Sequence, residues 1–142
     1  MSAEDNKALV RRMLAEVRHG WTSAVIELFF APEYRRHLTP TGPHLTGEEQ
    51  RERASRLRVA FPDGDATLDD ILAEGDRVAY RLTIRGTHQG AFLGVAPTGR
   101  RVTVSLFAIV RVDNGKLVEE WGGLDQVDLF RQLQELGEPP PA

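Results

Sequence analysis

Cysteine is absent from this chain of 142 residues, which excludes disulfides, zinc–thiolate sites and thiol chemistry and leaves the redox compartment open. A basic excess is missing too. The formal net charge of -3 and the pI near 5.8 offer no electrostatic reason to expect a nucleic-acid partner. The longest apolar stretch, around Val25 to Ala31, is far too short to span a bilayer, so no membrane partner is expected. Met1 to Asp5 lacks the basic and apolar regions of a signal peptide, and the expectation is a soluble, cytoplasmic protein. His19, His37, His44 and His88 show neither H-x-H nor H-E-x-x-H spacing. Asp63, Asp65, Thr67 and Glu74 mimic positions of a calcium loop, yet Leu68 stands where that loop needs glycine. No metal site is expected. Ser105 has no neighbouring base in sequence, so nucleophilic catalysis has no support.

What is present suits one domain over residues 1–142, a length typical of a single core. Ser2 and Asp5 resemble a capping box, and Leu9, Val10, Met13, Leu14 and Val17 mark one helical face that stops near Gly20. Thr22 caps a shorter helix ended by Pro32, and residues 33–47 read as loop or short strand. Thr46 and Glu49 open a third helix to about Phe61, where Pro62-Asp63-Gly64 breaks it. Arg51, Arg53, Arg56 and Arg58 are spread around that helix among glutamates and read as a solvated face. The period then changes from helical to extended. Residues 67–73 form a strand, and Val78, Tyr80, Leu82 and Ile84 alternate with small and polar residues. After a Gly/Pro-rich loop, Val102, Val104, Leu106, Ala108, Val110 and Val112 alternate again. Asp113-Asn114-Gly115 reads as a tight hairpin turn into a last strand from Lys116, and a terminal helix runs from about Gln126 to Leu136 before the frayed proline tail at 137–142. Three helices, four strands and one helix make an α+β domain, with helices on one face of a curved, mostly antiparallel sheet.

The segment Trp121-Gly122-Gly123-Leu124-Asp125 joins an aromatic and a carboxylate where a strand gives way to a helix. Asp125 has two readings. It caps the terminal helix, with Asp128 three residues on, or it faces a cavity as an acid or base. They differ in where the carboxylate points. Trp121 likewise reads as core packing or as the wall for a flat aromatic ligand. His37, in the loop after the second helix, is a candidate for ligand contact or proton shuttling, or an ordinary surface histidine. His88 reads first as a loop-fixing residue.

The run Phe61-Pro62-Asp63, Glu74-Gly75-Asp76-Arg77-Val78-Ala79, Gly86-Thr87-His88-Gln89-Gly90, Phe92-Leu93-Gly94, Pro97-Thr98-Gly99 and Asp113-Asn114-Gly115-Lys116, leading to Trp121 and Asp125, resembles the SnoaL-like polyketide cyclase family. The resemblance covers about residues 5–136, and Gln132-Leu133 also matches. It implies the cone-shaped α+β barrel shared with nuclear transport factor 2, a curved sheet wrapped around N-terminal helices to enclose one deep pocket. It further implies an acid/base-catalysed intramolecular aldol ring closure of a polyketide ester, with no cofactor and no metal. The family's acid/base carboxylate maps onto Asp125. Such a site takes a small, planar, carbonyl-rich hydrophobic molecule, and a carboxylate in an apolar pocket becomes a better base as burial disfavours its charged form. Asp125 and His37 are the expected catalytic residues; Trp121, Tyr34, Phe61, His88, Phe92 and Leu106 are the expected ligand contacts. Where family cyclases often place a polar group on the strand before the hairpin, this chain reads Leu106-Phe107-Ala108-Ile109. A non-catalytic ligand-binding protein and an oxygenase or isomerase on the same fold are the alternatives. By analogy, the domain is expected to form a homodimer or higher homo-oligomer.

Overall fold

The computed structural model describes residues 2–134, so Leu136 and the proline tail lie outside the described residues. Helix α1 spans Ala3–Val17, α2 Ser23–Phe29, and α3 Gly47–Ala60, and α4 covers Gln126–Gln134. Local chemistry starts each of them. The Ser2 hydroxyl accepts from the Asp5 amide at 3.0 Å while the Asp5 carboxylate accepts from the Ser2 amide at 3.0 Å. Thr46 and Glu49 form the same reciprocal pair, and the Thr22 hydroxyl accepts from the Val25 amide at 3.2 Å. Each satisfies amides that have no carbonyl partner in the first turn. Among the described residues, no helix is long and apolar enough to cross a membrane.

The strands are β1 (Phe30–His37), β2 (His44–Thr46), β3 (Asp65–Glu74), β4 (Arg77–Thr87), β5 (Arg101–Asp113) and β6 (Lys116–Leu124), in the sheet order β2-β1-β6-β5-β4-β3. Every pairing is antiparallel except β1 with β6, which makes the sheet mixed. The strands β1 and β2 occupy the stretch read as loop or short strand. The proline Pro32 is tolerated inside the sheet because the β1–β6 register breaks between Phe30 and Arg35, where no ladder amide is required of it. Asn114 and Gly115 have φ of 50° and 73°, as a two-residue type I′ turn between β5 and β6 demands.

Further irregularities fall between Leu68 and Asp70 on β3 and between Arg111 and Val112 opposite β6. Such bulges bend and twist their strands, which curls the sheet around α1. Leu9, Val10 and Met13 of α1 pack with Val78, Tyr80, Leu82, Ala108, Val110 and Leu117 on the inner face. A second cluster joins Ala60 and Phe61 to Val102, Val104, Leu129 and Leu133, so α4 closes the far end. The Gln132 side chain completes that closure by donating to the Thr103 carbonyl at 2.9 Å and accepting from the Thr103 amide at 3.2 Å. Beyond Leu124 β5 has lost its β6 neighbour, and this side chain serves as the missing ladder partner.

Candidate active site

Between α1, α3 and the inner face of the sheet lies a cavity of about 510 Å³, in the size range of small-molecule sites. Its walls are largely apolar: Met13, Leu14, Trp21, Leu57, Phe61, Leu82, Ile84, Val104, Leu106 and Leu124. Arg11, Arg18, Arg58 and Arg85, all solvent-exposed, stand at its rim. Three polar side chains of the sheet floor reach it: Arg36, Tyr80 and Glu120.

The floor is a closed electrostatic unit. Glu120 is 1% exposed and Arg36 3%, so both charges are withdrawn from water. The Tyr34 hydroxyl donates to Glu120 Oε1 at 2.6 Å, Arg36 Nη1 donates to the same oxygen at 3.3 Å, and the Tyr80 hydroxyl donates to Oε2. Arg36 Nε also donates to the Gly122 carbonyl at 3.3 Å. Burial, followed by the Glu120 charge, pushes both tyrosines well above the ordinary phenol value, so each stays protonated and able to donate. Burial alone would lower Arg36, but the Glu120 carboxylate together with Tyr34 and Tyr80 outweighs it and holds the guanidinium above its ordinary value. A carboxylate has about four acceptor positions. Three donors therefore leave one free, on Oε2, the oxygen shared with cavity-lining Tyr80.

Asp125 lies elsewhere. Its Oδ1 accepts from the Asp128 amide at 3.0 Å, and its own carbonyl takes the Leu129 amide at 3.0 Å, which makes it the N-cap of α4. The residue is exposed and forms no part of the cavity wall. This is the capping reading, and the helix dipole favours it. His37 is on the outer face of β1, bound to Glu119 Oε2 at 2.7 Å and stacked on Trp121 at 5.6 Å between ring centroids. Trp121 is on that outer face too, with the Arg77 guanidinium 4.8 Å from its ring centre. Neither reaches the cavity, because side chains alternate along a strand and their neighbours Arg36 and Glu120 take the inner face.

Of the other expected contacts, Phe61 and Leu106 line the cavity. Tyr34 sits behind it, buried and donating to Glu120. Phe92 packs edge-on against Phe61 at 5.8 Å, outside the lining. His88 is buried and binds Thr98, its Nδ1 accepting from the Thr98 amide at 3.2 Å, so it pins the loop as read. Burial lowers its pKa. Of the α3 arginines, Arg56 and Arg58 are exposed, Arg58 donating to the Arg18 carbonyl at 2.8 Å, whereas half-buried Arg53 lines the cavity and half-buried Arg51 donates to the Trp21 carbonyl at 3.1 Å, a departure from the solvated reading at these two positions. Among the described residues, no three His, Asp or Glu side chains gather as metal ligands.

Comparison with known proteins follows the same lines. Residues 8–133 match the model of the SnoaL-like polyketide cyclase family. An aklanonic acid methyl ester cyclase from Streptomyces peucetius is 32% identical over 136 residues, covering 94% of this chain and 91% of that protein. One from Streptomyces sp. strain C5 is also 32% identical over 136 residues, covering 94% of this chain and 82% of that protein. Among solved structures, AclR of Streptomyces galilaeus, for which a hydroxylase activity is suggested, superposes with a TM-score of 0.84 at 32% identity, covering 98% of this chain and 87% of that one. The curved mixed sheet over its helices is the architecture of that group, and the chain belongs to the SnoaL-like polyketide cyclase family.

Proposed function

We propose that this protein closes a ring in a polyketide ester by intramolecular aldol addition, without a cofactor, and that Glu120 and Tyr80 move the proton. The observation that carries the reading is a carboxylate, buried to 1% exposure, on the floor of a cavity large enough for such a substrate. An aldol closure is an isomerisation. A C–H next to carbonyls loses its proton, the resulting enolate carbon attacks a ketone carbon, and the new alkoxide regains a proton. Tyr80 is placed to accept the substrate proton at its oxygen while passing its own to Glu120 Oε2, and then to return one to the alkoxide. Tyr34 and Arg36 hold the Glu120 carboxylate and stabilise its charge before the first transfer and after the second; between them Glu120 is the neutral acid and the charge is on the substrate. In this reading Asp125, whose Oδ1 caps α4, takes no part in the chemistry. The substrate class is that named for the cyclase relatives, and the apolar walls suit a flat polycyclic ester.

The test is incubation with aklanonic acid methyl ester under anaerobic conditions. A ring-closed product of unchanged mass is expected. Absence of that product with correctly folded protein would contradict the reading. A second reading, hydroxylation of a related ring system, is favoured by the likeness to AclR. It requires turnover to consume dioxygen and two electrons from an external reductant, with one oxygen added to the product mass and the other released as water. A homodimer belongs to the first reading as well: Phe107 and Ile109, 59% and 45% exposed, lie beside Trp121 on the outer sheet face.

A further inference from the structure

The roof of the cavity carries polar groups that the floor chemistry leaves unused. Gln50 and Arg53 are three residues apart on α3, so they share one face of the helix, and both line the cavity. Gln50 is 4% exposed, yet its Oε1 accepts no hydrogen bond. Arg53 Nη2 is buried and donates none. Buried polar atoms left unpaired are costly, and native structures retain them where a partner arrives from outside. One atom needs a donor and the other an acceptor.

From this arrangement the geometry points to a second polar subsite, in which Arg53 and Gln50 bind the hydroxyl of an enol or phenol on the ligand. Such an oxygen accepts from Arg53 Nη2 while its proton is donated to Gln50 Oε1, which satisfies both orphans with one group. A carbonyl or an ether oxygen would satisfy only the arginine. A bare carboxylate would face the amide oxygen with like partial charge. The electrostatics agree. Glu120 neutralises Arg36 on the floor, whereas Arg53, lowered to about 10 by burial and then by Arg36 and Arg56, is left with no hydrogen-bond partner on Nη2. The same cation would steady the enolate as the hydroxyl's ring system reacts. This subsite rests on the cyclase reading for its role in turnover, but its ligand chemistry can be tested without turnover.

The probes are 2-naphthol and 2-methoxynaphthalene, which have the same ring and differ in the hydroxyl; neither can cyclise. Titration calorimetry should show 2-naphthol binding wild-type protein about tenfold more tightly or better, the worth of one hydrogen bond to a charged group. Arg53→Met and Gln50→Met should each shrink that preference to about twofold while leaving the ether's affinity within about threefold. Glu120→Gln should keep the preference, since the hydroxyl's partners are Arg53 and Gln50. Should Arg53→Met fail to fold, Arg53→Gln reports the same loss of charge. Equal binding of the two probes by wild type, or a preference that survives in the Arg53 variants, would overturn the subsite. A preference lost only in Glu120→Gln would move the hydroxyl to the floor and overturn it equally. Because the probes do not react, a missing cyclase activity leaves these outcomes untouched.

Discussion

At the residue scale, the difference between Asp125 and Glu120 is a difference between local and distant partners. Asp125 finds the Asp128 amide three residues away, so capping was readable in the sequence alongside the catalytic option. Glu120 acquires its meaning from Tyr34 and Arg36 on β1 and Tyr80 on β4, which no spacing along the chain announces. Replacing Asp125 by alanine should cost about 1 kcal/mol and lower the melting temperature by a few degrees, with turnover retained; calorimetry and an activity assay check both halves. Arg36→Met should be far more damaging. It leaves the Glu120 charge buried without its counterion, and about 3–5 kcal/mol of stability should be lost in urea unfolding. Tyr80→Phe should fold and bind but lower turnover by about 10²-fold or more, as expected when a positioned proton-transfer group is removed.

At the element scale, the helices were legible because capping boxes and apolar periodicity are local signals, and the β5–β6 hairpin because Asn114-Gly115 leaves little choice of turn. The inner face of β6 was not. Regular pairing counted back from Asp113 and Lys116 sets Trp121 opposite Ala108, on the inner face. Instead Val118 is an extra residue in the ladder, and beyond it Glu120 pairs Val110 and Gly122 pairs Ala108. One bulge exchanges the two faces, taking Trp121 outward and bringing Glu120 in. Strand β1 escaped for another reason: its partner β6 lies most of the chain away and runs parallel, without any turn signal to link them. The docking of α4 offers a direct check. Gln132→Ala removes both bonds to Thr103 and should cost about 1–3 kcal/mol, with faster hydrogen exchange at the Thr103 amide.

At the scale of the whole molecule, the cone supplies what a single element cannot, a dry floor for one ion pair beneath an apolar chamber. Its outer surface sets the response to acid. Asp63 is held below the ordinary carboxylate value by hydrogen bonds from Thr87, Asp65 by Arg18 and Glu119 by His37. The unfolded chain therefore binds protons more readily than the folded one. These groups stabilise the fold above the ordinary carboxylate values of 3.8 and 4.5, and the stabilisation is lost as pH falls below them through the folded values. Urea midpoints should fall between about pH 6 and pH 3. The exposed Phe107 and Ile109 predict a dimer in sedimentation, shifted toward monomer by Phe107→Ser. The central claim, that the buried glutamate and not the helix-capping aspartate moves the proton, is met most directly by one side-by-side measurement of kcat on aklanonic acid methyl ester. Glu120→Gln is predicted to lose about 10²-fold or more while Asp125→Asn stays within about threefold of wild type; an active Glu120→Gln beside an inactive, folded Asp125→Asn would contradict it.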